Sequence, residues 1–141
     1  MKYMDKTDFD AANLFGLGGP NNAYAQYFIG QSYLASLPAG ALHISNVTFE
    51  PGCRNNWHIH NAAQGGGQVL LCIAGEGWYQ EEGKPAVSLT PGCVVHIPAG
   101  VKHWHGAKAD SWFSHISIAV PGEETSNEWL EPVDDETYSK L

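Results

Sequence analysis

Two Pro-Gly turns, each followed by histidines in period-two spacing, restrict what this chain can fold into more than any other feature. The first run reads Pro51-Gly-Cys-Arg-Asn-Asn-Trp-His58-Ile-His60. The second reads Pro91-Gly-Cys-Val-Val-His-Ile-Pro98-Ala-Gly100-Val-Lys-His103-Trp-His105. Residues two apart on an extended chain point the same way, so His58 and His60 share a face, and so do His103 and His105. Two imidazoles from one strand, met by one or more from another, make half of a metal shell. The remaining chain is expected to be the scaffold that brings the two strands together.

That scaffold reads as short strands punctuated by turns. Ala41 to Phe49 alternates, with His43, Ser45, Val47 and Phe49 on one face and Leu42, Ile44, Asn46 and Thr48 on the other. Gln68–Ala74, Trp78–Gln80, Ala86–Leu89, Cys93–Ile97, His103–Gly106 and Trp112–Val120 continue the series, separated by turns such as Gly75-Glu-Gly77. Tyr24–Ile29 and Gln31–Ala35, aromatic and branched with Gly30 between them, predict two short strands or one bent strand at an N-terminal sheet edge, the candidate dimer contact. Residues 1–23 read as a polar, irregular lead-in and Asn61–Gly67 as a Gly-rich loop, with no helix-period segment before the tail. Asn127–Val133 is a candidate last strand, and Asp134 a plausible N-cap for a short helix through Lys140. Residues 1–141 are expected to form one all-β domain, with the barrel over 24–133 and the helix over 134–140.

Charge and composition exclude some partners. A net charge of −8 with only 7 scattered Lys and Arg offers no phosphate-binding surface, so nucleic acid is not an expected partner. No apolar run reaches the roughly 20 residues of a membrane span, and Met1-Lys-Tyr-Met-Asp-Lys is no signal sequence. The expected location is therefore cytoplasmic, with Cys53, Cys72 and Cys93 reduced. Cys53 and Cys93 each follow a Pro-Gly turn, which allows them to lie close together, although small buried residues account for all three.

The two clusters resemble the paired motifs of the cupin superfamily. Gly52, five residues, then His58-x-His60 fits the first motif, and Gln68 stands seven residues before Gly75 where that motif closes. Gly92, five residues, Pro98-x-Gly100, two residues and His103 fits the second. The sequence departs from the pattern in carrying Gln68 where a Glu is usual, and in the longer gap after His60. Gln64 is the alternative at the shorter gap; Gln68 is preferred because it opens a strand, which holds a ligand more rigidly than a loop. His103-Trp-His-Gly106, the Gln and Trp112-Phe-Ser-His115 further resemble manganese-dependent cupin hydroxynitrile lyases and the cupins associated with carboxymuconolactone decarboxylases.

The resemblance implies a double-stranded β-helix, the cupin jelly-roll barrel, holding one divalent metal on His58, His60, Gln68 and His103. Imidazoles with one hard oxygen suit manganese, iron, nickel or zinc, and family likeness favours manganese. An amide in place of a carboxylate leaves the ion's +2 charge uncancelled, making the site more electrophilic. His105 lies one pleat beyond His103, about 6–7 Å by strand rise, which suits a base beside the metal. His115 is the second catalytic candidate; it and His43 either line the pocket or satisfy a backbone carbonyl. His96 reads as structural or at a surface, Asn55 as a turn residue or a substrate-binding amide, and Trp104 as pointing away from the metal. The expected partner is a small molecule, the assembly a homodimer or larger homo-oligomer. Three functions follow: a lyase acting on a small hydroxy or carbonyl compound, a metal-dependent dioxygenase or isomerase, and a non-catalytic small-ligand binding protein.

Overall fold

The computed structural model describes residues 1–141. Its strands are β1 (Gly19–Pro20), β2 (Phe28–Ile29), β3 (Ser32–Leu37), β4 (Ile44–Phe49), β5 (Arg54–Asn55), β6 (His58–Asn61), β7 (Gln64–Gly65), β8 (Gln68–Gly75), β9 (Gly77–Glu81), β10 (Val87–Leu89), β11 (Val94–Ile97), β12 (His103–Ala107), β13 (Phe113–Ala119), β14 (Gly122–Glu123) and β15 (Ser126–Trp129). Helices α1 (Lys6–Ala12) and α2 (Asp135–Ser139) flank them. One sheet runs β1-β3-β4-β13-β8-β11; the other runs β10-β9-β12-β5-β2, with β6 joining β12 to β15. The pairings are antiparallel, and the inner faces close on each other as a jelly roll.

The core lies between the sheets, where Phe49, Leu70, Ile97, Leu89 and Phe113 are buried together. The expected alternation on β4 is present, and both of its faces are covered. Val47 and Phe49 face inward, while Asn46 and Thr48 are fully buried on the opposite side. That second face is sealed by α1, an element the sequence reading left as irregular lead-in. Asp5 caps α1 by accepting from the amides of Thr7 and Asp8 at 2.8 and 3.2 Å. The helix buries Phe9, which stacks on Trp112 at 5.5 Å, and one turn later Asn13. Asn13 donates to Thr48 Oγ1 at 3.2 Å and accepts from Asn46 Nδ2 at 2.8 Å. With a polar residue in the second buried position, the helix shows no apolar stripe to read.

Two further expectations shift. Asn22–Tyr27 is a 3₁₀ helix and only Phe28–Ile29 is strand, so the aromatics do not form a long edge strand. Tyr27 instead stacks on Trp129 at 4.6 Å with planes 4° apart. The Asn61–Gly67 stretch is not simply a loop, because β7 pairs with β14. The last strand is shorter than expected: β15 ends at Trp129, backbone hydrogen bonds tie Leu130 and Glu131 to Trp57, and Val133 is buried with Trp104 and Tyr138 on the outer side of β12.

Arg54 ties that tail down. Its guanidinium donates twice to the Val133 carbonyl, at 3.1 and 2.8 Å, reaches Asp135 at 2.6 Å and lies 4.3 Å over the Tyr138 ring. Asp134 caps α2 by accepting from the Thr137 amide at 2.6 Å. Gly75 is needed where β8 meets β13: its φ is +71°, and an added Cβ would sit 1.7 Å from the Trp112 carbonyl oxygen. No helix is long and apolar enough to cross a membrane. Because α1 docks through one fully buried aromatic, Phe9→Ala is expected to cost about 3–5 kcal/mol of unfolding free energy in urea titration. A loss below about 1 kcal/mol would show that α1 is not part of the cooperative fold.

Candidate metal centre

The sheets deliver the histidines to one point inside the barrel. β6 carries His58 and His60, β12 carries His103 and His105, and His58 stands directly opposite His103 in the antiparallel pairing. The ring centroids of His58 and His103 are 4.2 Å apart, those of His58 and His60 5.1 Å, and those of His60 and His103 5.3 Å. Gln68, at the start of β8, reaches the same point from the other sheet, its Oε1 2.9 Å from His60 Nε2. Gln64, the alternative amide, is exposed on β7.

Each of these imidazoles has its Nδ1 against an oxygen. His58 Nδ1 donates to the Asn56 carbonyl at 2.8 Å and His103 Nδ1 to the Val101 carbonyl at 2.9 Å, while His60 Nδ1 lies 2.7 Å from Asn127 Oδ1. For His58 and His103 the carbonyl partner fixes the tautomer and leaves a lone pair on Nε2. His103 Nε2 is buried and has no hydrogen-bond partner. His60 has an amide oxygen against each ring nitrogen, with Gln68 Oε1 2.9 Å from Nε2. The unpartnered His103 Nε2 and the lone pair on His58 Nε2 thus face the same point as the inward Gln68 oxygen, an arrangement that a cation resolves. The donor set of three imidazole nitrogens and an amide oxygen fits a divalent transition ion.

Three residues that sequence reasoning did not assign to the site, Ser117, Asn127 and Trp129, complete the cradle. Gln68 Nε2 donates to Ser117 Oγ at 2.6 Å, turning the amide oxygen inward. Asn127 and Trp129 sit opposite His60 and His58 on β15, and the Trp129 ring lies 4.6 Å from that of His58. Their roles depend on which strand pairs with which, and a linear sequence does not display that.

His105 occupies a different environment. Nitrogens of His58, His103 and His105 all lie within 4.8 Å of one another, so His105 is within reach of the cluster. Its own partners set it apart: Nδ1 is 3.0 Å from His115 Nε2, and Asn55 holds both its ring and its backbone amide, the latter at 2.9 Å. Its ring is nearly parallel to that of His103, 5.8 Å away, as one pleat requires. Asn55 lies in β5 rather than in a turn, and from the cavity wall it positions His105. His115 is fully buried, its ring 5.5 Å from Phe49, and its Nδ1 has no partner. His96 is exposed on β11, and Trp104 points outward, donating to Gln80 Oε1 at 2.9 Å.

The adjoining cavity measures about 160 Å³ and is lined by Phe28, Leu34, Val47, Asn55, His105 and Trp129 beside the cluster. A wider space of about 430 Å³ is lined by His43, Ser45, Thr125 and His60, so His43 shares the pocket on the His60 side of the cluster. Burial holds the imidazoles neutral. His103 and His115 are each pushed down to about 4, and His58 and His105 well below the usual value, in every case chiefly by desolvation. In the metal-free protein, the unfolded chain takes up protons below about pH 6.5 that the folded chain refuses until about pH 4. Stability therefore falls as pH drops through that window, by about 3 kcal/mol for each such imidazole. Urea unfolding of the metal-free protein from pH 7.5 to 4 should show this decline, and a flat profile would contradict the burial.

The comparisons agree with this geometry. The cupin domain profile matches residues 45–118. The chain is 41% identical over 105 residues to an (R)-mandelonitrile lyase from Granulicella tundricola, covering 74% of each chain. A crystal structure of a cupin-like protein from Thermotoga maritima matches with a TM-score of 0.77 at 36% identity, over 90% of this chain and 95% of that one. A double-stranded β-helix protein from Klebsiella pneumoniae shares the fold at 19% identity and a TM-score of 0.60, over 82% and 91% of the two chains. With the motifs, the barrel and the histidine cluster in agreement, the chain belongs to the cupin family.

Proposed function

We propose that this protein is a metal-dependent lyase that cleaves a small aromatic cyanohydrin to an aldehyde and hydrogen cyanide. The observation that carries the reading is His105, a buried neutral imidazole held by Asn55 and His115 on the cavity wall beside the histidine–glutamine cluster. The 41% identity to the (R)-mandelonitrile lyase supports the substrate class.

His58, His60, Gln68 and His103 would hold the ion, manganese being the family-favoured choice. When bound, it supplies Lewis acidity toward the substrate oxygen, undiminished by ligand charge because all four side chains are neutral. His105 performs the proton chemistry. When its Nδ1 donates to His115 Nε2, its own Nε2 keeps the lone pair, which faces the Asn55 amide nitrogen at 3.3 Å and which a substrate hydroxyl would share; when His115 donates instead, Nε2 carries the proton. In the first state His105 Nε2 takes the hydroxyl proton as the C–CN bond breaks. The bonding pair leaves with cyanide, and the carbonyl forms. The same Nε2 then returns the proton to cyanide, and the balance is one cyanohydrin to one aldehyde and one hydrogen cyanide. Phe28 and Trp129 supply aromatic surface for the aryl group, while Leu34 and Val47 exclude water from that side.

The test is cyanide release from an aromatic cyanohydrin by the manganese-loaded protein. His105→Ala is expected to lower kcat by about 10²–10⁴-fold, as loss of a general acid–base group does, with metal content unchanged. Gln68→Glu should slow the reaction while retaining the ion, because a carboxylate cancels one unit of charge. Undiminished turnover in His105→Ala would refute the assignment. Oxygen uptake by an iron-loaded sample in place of cyanide release would point to the oxygenase reading instead.

A further inference from the structure

Three thiols lie outside the site described above, and the structure pairs two of them differently from the sequence expectation. Cys53 is buried at 1% exposure in the core. Cys93 instead stands directly across from Cys72. The register pairs Val94 with Leu71, so one step outward Cys93 faces Cys72. The Cys72 amide donates to the Cys93 carbonyl at 3.0 Å, and the Gly92 amide to the Cys72 carbonyl at 2.9 Å. Gly92, at φ +94°, and Cys93 therefore both oppose Cys72 in a bulge that begins β11. The Cys93 amide closes the Thr90-Pro-Gly-Cys turn by donating to the Thr90 carbonyl at 3.0 Å.

Both side chains face inward. Cys72 shares parity with buried Leu70 on β8, and Cys93 packs against the cluster that contains Cys72. Directly opposed residues of an antiparallel pair have Cβ atoms about 4.5–5.5 Å apart, close to the roughly 3.5–4.5 Å of a disulfide. The thiols differ in access. Cys72 is 5% exposed, whereas Cys93 is half-buried next to an exposed turn. Thr90 Oγ1 lies 3.6 Å from Cys93 Sγ.

We infer that Cys93 and Cys72 form a hydroperoxide-responsive dithiol pair, with Cys93 as the attacking thiol, Cys72 as the resolving thiol, and a β8–β11 cross-strand disulfide as product. The Cys93 thiolate attacks one peroxide oxygen; the O–O bond breaks, and the departing alkoxide or hydroxide takes up a proton. This leaves a sulfenic acid on Cys93. Cys72 then attacks that sulfur, forming the S–S bond, and its proton leaves with the hydroxyl as water. Two thiols are oxidised and one hydroperoxide is reduced to an alcohol and water. Hydrogen bonds from Thr90 lower the Cys93 thiol and favour its thiolate, whereas burial pushes Cys72 up to about 12. The first step should therefore outrun the second, and sulfenic acid should precede disulfide.

The as-isolated protein is exposed to hydrogen peroxide, then alkylated, digested without reductant and mapped by mass spectrometry. Expected is an early dimedone adduct on Cys93, followed by a single intrachain link between the Cys72 and Cys93 peptides, reversed by a dithiol. Cys93→Ser should abolish both products, Cys53→Ser neither, and Cys72→Ser should keep the adduct but lose the link. If Cys72→Ser does not fold, the wild type and Cys93→Ser, altered at the accessible position, decide alone. The inference is overturned if Cys72 and Cys93 both stay alkylatable after peroxide, or if the links formed run between chains or include Cys53. These readouts are independent of cyanohydrin cleavage.

Discussion

The site depends on one electrostatic mismatch: imidazole and amide lone pairs directed at the same point inside a barrel. Two Nδ1–H groups are spent on the carbonyls of Asn56 and Val101, which turns the Nε2 lone pairs of His58 and His103 toward the point that His60 and the Gln68 oxygen also face. Without a cation, His103 Nε2 is a buried acceptor lacking a donor, which costs desolvation free energy. Desolvation also keeps His58 and His103 from answering the mismatch with protons of their own. The fold can therefore be understood as the support for a positive charge it does not itself contain. The antiparallel pairing of β6 with both β12 and β15 supplies the histidines and the residues that orient them.

The same barrel separates two kinds of chemistry by register. On β12, His103 and His105 are one pleat apart, and their different neighbours divide their tasks. His103 meets His58 and a backbone carbonyl; His105 meets Asn55 and His115. Phe49 packs near both His105 and His115, keeping that pair in an apolar surround where a shared proton has few competing partners. The outer faces are stabilised independently, by α1 over β4 and β8 and by the Arg54-tied tail over β12. Buttressing from both sides holds the inner faces in register.

Much of this was legible in the chain itself. Period-two histidines behind Pro-Gly turns show which side chains share a face, and the distance from Gln68 to Gly75 favours the strand-borne amide over Gln64. Parity likewise separates outward Trp104 from inward His103 and His105. What was hidden depends on pairing between distant strands or on polar burial. Helix α1 is held by one aromatic and one asparagine, which gives no hydrophobic period. Asn127, Ser117 and Asn55 are ordinary polar residues in sequence and become orienting groups only through their strand partners. The thiol pair was hidden for the same reason: following similar turns relates Cys53 to Cys93, but strand register places Cys72 opposite Cys93.

The most direct test of the central claim is metal content together with spectroscopy of the atoms bound to the ion. The protein loaded with manganese, as isolated and as His103→Ala, Gln68→Ala and His105→Ala, is measured by elemental analysis and X-ray absorption. The account predicts one ion per chain with three imidazole nitrogens and an amide oxygen, at least tenfold weaker binding in the His103 and Gln68 variants, and full occupancy in His105→Ala. Full occupancy in His103→Ala, or an ion lost with His105, would contradict it.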